Sequence, residues 1–359
     1  MRMDEARVGV HSEWPFDDPL AWSGMIRPAV AQLDEVLDMT RLAPARTADA
    51  LIDRARARLS PRTVLPAHSI ATSLRRSLSL QLEVRRSAVD AVVALASSSD
   101  LVRPLAVPVI QITDATFPAL QGFYPMYSDL AWSGRMQGNW VERHGAKNTH
   151  HFVVTSDWAK DSLVHDTGFP EERITIAPFG PAIAPPPGVL PRTVEEDRLR
   201  LVLVASDWER KNGTAALEIV ERLRESRDVE LLIVGAAPPE AARSATLLGR
   251  LNTADLSNVY SRGHILLEPA LANASGVVIT DALHHGLPVL ASAVGGVPTL
   301  VDTSTGWLLP PENLVASAVE ILSSISVAEL ESRSRAAADW AARSLSWDGW
   351  AEAIARIEI

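Results

Sequence analysis

The residues best suited to chemistry fall in two short segments of the second half of the chain. Leu266–Pro298 reads LLEPALANASGVVITDALHHGLPVLASAVGGVP, an apolar run, a loop of small residues, a helical pattern and a second apolar run. Where such a loop opens a helix, Ser275, Gly276 and Val277 present backbone N–H groups that have no partner within the helix. The positive end of the helix dipole adds to them, so an anion such as a diphosphate suits that place. Five residues past Gly276, Asp281 could accept hydrogen bonds from the hydroxyls of a ribose. Upstream, Ala205–Gly213 (ASDWERKNG) also follows an apolar run and leads into a helical pattern. A further small loop, Val294–Pro298, allows close backbone approach after the next run.

These loops need strands and helices to hold them, and the pattern supplies both. Short apolar runs alternate with helical periodicity through most of the chain, the mark of doubly wound parallel α/β sheets. The first half offers strands at Val8–Val10, Ala91–Leu95, Val107–Ile112, His151–Thr155 and Ile174–Ala177. The second offers Leu199–Ala205, Val229–Val234, Ala245–Leu248, Ile265–Glu268, Pro288–Ala291 and Trp307–Leu309. Between the halves the Pro-rich stretch 178–197 reads as a semi-rigid linker. Helices are expected over Thr214–Glu225, over a segment with Ile26, Val30, Leu33 and Val36 on one face, and over Ala336–Ile359, whose Trp340, Trp347 and Trp350 read as packing. Ligands of doubly wound sheets sit beyond the carboxyl ends of the strands.

Composition narrows the class. A chain of 359 residues, 47% hydrophobic, has enough apolar content for two packed domains. With no cysteine, a disulfide, a thiolate nucleophile and a Cys-based zinc site are all excluded. The net charge of −10 argues against nucleic acid as a partner. The charge is uneven: Arg41–Arg86 holds ten Arg against Asp49, Asp53 and Glu83. That region reads either as a solvated helix face or as a patch for anionic lipid. The N-terminal residues lack a secretory pattern, and no run of about 18 apolar residues occurs, so the expected location is cytoplasmic or membrane-peripheral. No G-x-G-x-x-G follows a strand and no G-x-S-x-G occurs, which disfavours nicotinamide enzymes and serine hydrolases. Adjacent histidines in a strand point to opposite faces, so His150–His151 does not read as a metal site, and His284–His285 is equally improbable.

The loop–helix segment resembles the donor-binding region of retaining GT-B glycosyltransferases, the large group 1 family built around an E-x7-E pair. Of its pattern, P-x-x-x-E-x-x-G-x-x-x-x-E-A-x-x-x-G-x-P-V, this chain has Pro269, Gly276, Ala282, Gly286, Pro288 and Val289 in place. Asn273 and Asp281 stand at the two glutamate positions. The resemblance implies a GT-B fold, two Rossmann-like domains facing across a cleft. The expected bounds are 1–185 for an acceptor-side domain, 186–198 for the linker and 199–344 for the nucleotide-sugar domain, with 345–359 packing back on the first. It further implies transfer of a sugar from a nucleotide-diphosphate donor to an acceptor the sequence does not identify, with retention, no cofactor and no metal; no Asp-x-Asp pair is present. Lys211, helped by Arg210, would neutralise the leaving diphosphate. Ser275, Gly276, Val277 and the early loop Ser23–Gly24 would hold the donor, Asp281 its ribose and Asn273 its sugar. Asp114, after the strand Val107–Ile112, would face the acceptor.

Local readings stand beside these. Asn273 could cap its own loop, Asp114 could cap the helix that follows it, and Trp208 could pack on a nucleotide base or fill a gap in its domain. A relative that binds a nucleotide without turnover, or a nucleotide-sugar epimerase of the same architecture, would share the pattern.

Overall fold

A computed structural model describes residues 1–12, 35–38, 65–185 and 198–359. The chain divides into two compact units, Met1–Ala177 with Trp347–Ile359, and Pro178–Ser346. Of the segment 186–198, only Arg198 is among the described residues.

The first unit is built on a six-stranded sheet in which every pairing is parallel: β1 (Arg7–Ser12), β2 (Glu35–Asp38), β3 (Ala91–Leu95), β4 (Val109–Thr113), β5 (His151–Val154) and β6 (Ile174–Ile176), in the order β2-β1-β3-β4-β5-β6. All five residues of Ala91–Leu95 are buried, as expected of a strand covered on both faces by helices. Helices α1 (Ile70–Ser87) and α2 (Trp132–Lys147) provide part of that cover. The order reverses between β1 and β3, so the ligand-binding end of this sheet lies beyond Ser12 and Leu95.

The second unit carries β7 (Leu199–Ala205), β8 (Val229–Gly235), β9 (Thr246–Gly249), β10 (Ile265–Glu268), β11 (Val289–Ser292) and β12 (Gly306–Leu309), again all parallel, in the order β12-β11-β10-β7-β8-β9. Read from the other edge this is the 3-2-1-4-5-6 order of dinucleotide folds, with its switch point between β7 and β10. On one face α3 (Gly213–Leu223) packs with α6 (Leu314–Ser324) over Leu201, Leu203, Leu231 and Ile233. On the other α5 (Val277–His284) packs with α7 (Val327–Ser344) over Val202, Leu266 and Val289. A further helix, α4 (Thr253–Arg262), precedes β10.

Three expectations are corrected. Val36, read as part of a helical face, lies in β2, where Glu35–Asp38 pairs with Arg7–Val10; sheet pairing overrides a weak local helical preference. The other residues of that face lie outside the described ones. The helix expected over Ala336–Ile359 is two helices, α7 and α8 (Trp347–Ala355), which belong to different units. Between them Leu345, fully buried, leaves helical geometry at ψ 37°. The strand expected from Val107 begins at Val109. In the first unit Met3 N–H donates to the Ile357 carbonyl at 3.2 Å, tying the two chain ends together.

Candidate functional site

The switch point of the second unit brings together the loop after β7 and the loop after β10. Backbone and side chain join them: Leu271 N–H donates to the Arg210 carbonyl at 2.9 Å, and the Arg210 guanidinium donates to the Ala272 carbonyl at 3.0 Å. The guanidinium also lies 3.7 Å from Asp207. Lys211 turns inward, 4% exposed, and its ammonium is ion-paired with Glu268, the last residue of β10.

Glu268 is fully buried at the end of a strand otherwise made of Ile and Leu. Its Oε1 also accepts from Asn273 Nδ2 at 2.9 Å, and Asn273 Oδ1 in turn accepts from Gly276 N–H at 2.9 Å. Asn273 therefore caps its loop and reaches the ion pair at once. The Asn273 carbonyl accepts from Gly296 N–H at 3.1 Å, which attaches the second small loop. Gly276 has φ +61°, and a Cβ there would lie 2.3 Å from Leu300 Cδ1, so glycine is required by conformation and by space. Ser275 and Val277 flank it, half-buried, at the start of α5. A lysine, a carboxylate, an amide and a helix N-terminus thus form one connected chain, Lys211–Glu268–Asn273–Gly276.

Asp281 lies in the second turn of α5 and is 3% exposed. Its carboxylate accepts from Ile183 N–H at 3.0 Å and from the backbone of Ala182. Burial outweighs these bonds and pushes its pKa from an ordinary 3.8 up to about 7. The charges of Asp281 and Glu268, after burial itself, also push the Tyr260 phenol upward. In the window from about pH 4 to pH 7 the folded state holds a proton on Asp281 that the unfolded chain has released. Stability from this group therefore falls as pH rises through the window and is flat above it, with a span of at most about 4 kcal/mol. Asp281→Asn is expected to flatten that slope and to melt higher than the parent chain at pH 8. Melting curves from pH 4 to 8 check this; parallel profiles for both proteins would contradict it.

The histidine pairs are engaged locally. His285 bridges the Asp281 carbonyl and Ser257 Oγ at 2.7 and 2.8 Å, and His284 meets the Leu345 carbonyl at 2.9 Å. His150 contacts the Glu358 carbonyl and His151 the Thr175 hydroxyl. No group of three or more metal-ligating side chains occurs among the described residues. Trp208 packs its ring over Gly213 against the core beneath α3.

The first unit has its own hollow, of about 350 Å³, at the carboxyl ends of β3 and β4. Asp114, His68, Phe117, Tyr127, Ser98 and Glu142 are among the residues that line it. The rings of His68 and Phe117 lie 4.6 Å apart, with Tyr127 edge-on to Phe117 at 5.8 Å. Burial and the nearby Arg76 lower the His68 pKa to about 4, so the ring is neutral. Its Nδ1 has no hydrogen-bond partner among the described residues. Glu142 accepts from Phe117 N–H at 3.1 Å, and burial raises its pKa. Ser98 Oγ lies within 2.8 Å of Gln111 Oε1 and 2.9 Å of Glu142 Oε1. A hydroxyl has one hydrogen to give, so Ser98 can donate to only one of these two oxygens at a time. Asp114 does not cap the following helix; Thr116 does, accepting from Ala119 N–H at 3.2 Å. At the switch point of this sheet His11 pairs with the buried Asp100 at 2.9 Å. Ser23 and Gly24, expected to hold the donor, lie outside the described residues.

Two doubly wound parallel units of this kind define the GT-B fold. Sucrose-phosphate synthase from Thermosynechococcus elongatus superposes on 97% of this chain, covering 96% of its own, with a TM-score of 0.67 at 17% identity. Residues 198–326 match the family described as Glycosyl transferases group 1. Among curated relatives, the lipopolysaccharide glucosyltransferase WaaG of Escherichia coli (strain K12) is 34% identical over 127 residues, 32% of this chain and 34% of its own length. The gpi3 subunit of the phosphatidylinositol N-acetylglucosaminyltransferase of Schizosaccharomyces pombe is 23% identical over 195 residues, 51% of this chain and 42% of its own. The chain thus spans less than half the length of these relatives.

Proposed function

We propose that the chain is a glycosyltransferase that moves a hexosyl group from a nucleotide-diphosphate sugar to an acceptor hydroxyl, with retention and without a metal. The observation that carries this reading is the connected set Lys211–Glu268–Asn273–Gly276 at the switch point of the group 1 domain. In the transfer the bond from the anomeric carbon to the diphosphate oxygen breaks, a bond to the acceptor oxygen forms, and the hydroxyl proton leaves with the diphosphate. Negative charge grows on the leaving group as positive charge grows on the sugar. Lys211, Arg210 and the N–H groups of Ser275 and Val277 would stabilise the former. Asp281 would hold the ribose once the 182–183 backbone yields its carboxylate. Asp114 and the hollow in the first unit would receive the acceptor. The test is release of nucleoside diphosphate from a panel of nucleotide sugars in the presence of EDTA; binding without release would favour the second reading below.

That second reading is a nucleotide-binding relative without turnover. Two observations favour it: Lys211 is occupied by Glu268, and Asp281 already accepts two backbone N–H groups.

The acceptor we propose is borne by lipid, in keeping with the names of the two curated relatives, and the chain would meet it as a peripheral protein at an anionic surface from the cytoplasmic side. No single helix among the described residues is long and apolar enough to cross a membrane. Of the Arg-rich 41–86 region, the described part is α1 and the short segment before it. On α1, Leu74, Leu78 and Leu82 share one face and are 39, 48 and 46% exposed. Arg75, Arg76, Arg85 and Arg86 stand on the same helix against one acid, Glu83. Apolar side chains between cations suit a bilayer carrying negative lipid. Leu78→Glu is expected to weaken sedimentation with phosphatidylglycerol-containing vesicles roughly tenfold and to leave donor hydrolysis unchanged. Equal sedimentation of both proteins would contradict this contact.

A further inference from the structure

Position 273 is where the group 1 pattern has a glutamate and this chain has asparagine, and the fold supplies a physical reason. Asn273 Nδ2 lies 2.9 Å from Glu268 Oε1, and both side chains are buried. A glutamate at 273 would set two carboxylates against each other out of water, a pair that cannot both ionise at little cost. An amide there instead donates to Glu268 through one end and accepts from Gly276 through the other. The negative charge has not left the site; it stands five residues upstream, at the end of β10.

Glu268 spends its acceptor capacity on one side only. Oε1 takes both Lys211 and Asn273, while Oε2 is buried with no hydrogen-bond partner among the described residues. Lys211 has three N–H donors, and Glu268 engages one of them. A buried ammonium without a counter-ion is costly, and the carboxylate supplies one. The same carboxylate repels any second anion that approaches Lys211.

We propose that Glu268 is the carboxylate of this donor site, moved from the loop to the strand end, and that it serves as a resident counter-ion with which an arriving diphosphate must share Lys211. It rests on the reading of the site as one that receives a diphosphate. Glu268 is then a positioning residue: it acts through Lys211 and Asn273 and sets how tightly the leaving group is held. A site without it would hold its product diphosphate longer.

Glu268→Gln keeps the shape and removes the charge. The protein and this variant are titrated calorimetrically with uridine, guanosine and adenosine diphosphates and with the matching nucleosides. The expected result is a diphosphate affinity about tenfold or more higher in the variant, diminishing with added salt, and a nucleoside affinity that does not change. A purely structural glutamate would weaken diphosphate and nucleoside together, and that result, or an unchanged diphosphate affinity, overturns the proposal. If Glu268→Gln does not fold, Glu268→Gln with Asn273→Asp returns one charge to the loop and is expected to bind diphosphate as the parent does; a clear departure from parental affinity likewise overturns the proposal. If the parent chain binds none of the three diphosphates, the donor reading itself fails and takes the counter-ion role with it. If it binds one and Glu268→Gln holds it no tighter, only the counter-ion role falls.

Discussion

Replacing Lys211 by alanine is expected to lower transfer by a factor of 10²–10³ or more, the loss seen when a preorganised charge on a leaving group is removed. The same substitution leaves Glu268 buried and without its cation, which costs about 3–5 kcal/mol of folding stability. In a unit of this size each kcal/mol is about 2–4 °C, so the melting temperature falls visibly as well. The two effects can be separated. Lys211→Met combined with Glu268→Leu fills the space with apolar atoms and removes both charges together. It is expected to recover most of the melting temperature, since a buried ion pair adds little stability over a well-packed apolar pair. Transfer is expected to stay lost. If transfer returned with stability, Lys211 would be a structural residue and the site would lie elsewhere.

Asn273→Asp is expected to have the second-largest effect. The side chain keeps its size, but the donor to Glu268 becomes a second carboxylate about 3 Å away, in a place 6% exposed. Losing the hydrogen bond and setting like charges together out of water should cost several kcal/mol at neutral pH. The Asn273 cap on Gly276 can survive, because an aspartate oxygen still accepts. Stability should therefore improve as pH falls and one of the two carboxylates takes up a proton, and adding Glu268→Gln should restore it at pH 7. Denaturant unfolding of the single and double variants at pH 5 and pH 7 measures the coupling. Additive effects at both pH values would mean that positions 268 and 273 do not share one negative charge.

How much of this was legible from residues alone follows from the range of the interactions. Ala91–Leu95, Leu199–Ala205 and Ile265–Glu268 could be read because buried parallel strands leave runs that are almost wholly apolar. Glu35–Asp38 could not, since its E-V-L-D sequence has no such run and is a strand by virtue of β1 beside it. At the switch point, Gly276 is legible from the small-residue loop that opens a helix, and Lys211 and Asn273 from the resemblance to the group 1 pattern. Glu268 is not, because it closes an apolar strand and no motif spacing marks it. The available signal was the anomaly itself, one acid closing a fully buried stretch of Ile and Leu, where a charge is rarely found without a partner. The hollow of the first unit was legible at Asp114 and in the aromatic loop that follows it, which holds Phe117 and Tyr127. His68 and Glu142 reach it from segments that lie far apart in the chain, and no spacing rule brings them together. Asp114 as a helix cap was a fair local reading, and Thr116, two residues on, won because its backbone is extended where a cap must be.

The most direct measurement is a crystal structure of the chain with the nucleoside diphosphate that binds it best. The account predicts the diphosphate at the switch point of the second unit, with Lys211 Nζ and the N–H groups of Ser275 and Val277 within hydrogen-bond distance of its oxygens, and Glu268 still against Asn273. A diphosphate bound away from Lys211, or a Lys211–Glu268 pair left closed while the ligand sits elsewhere, would contradict it.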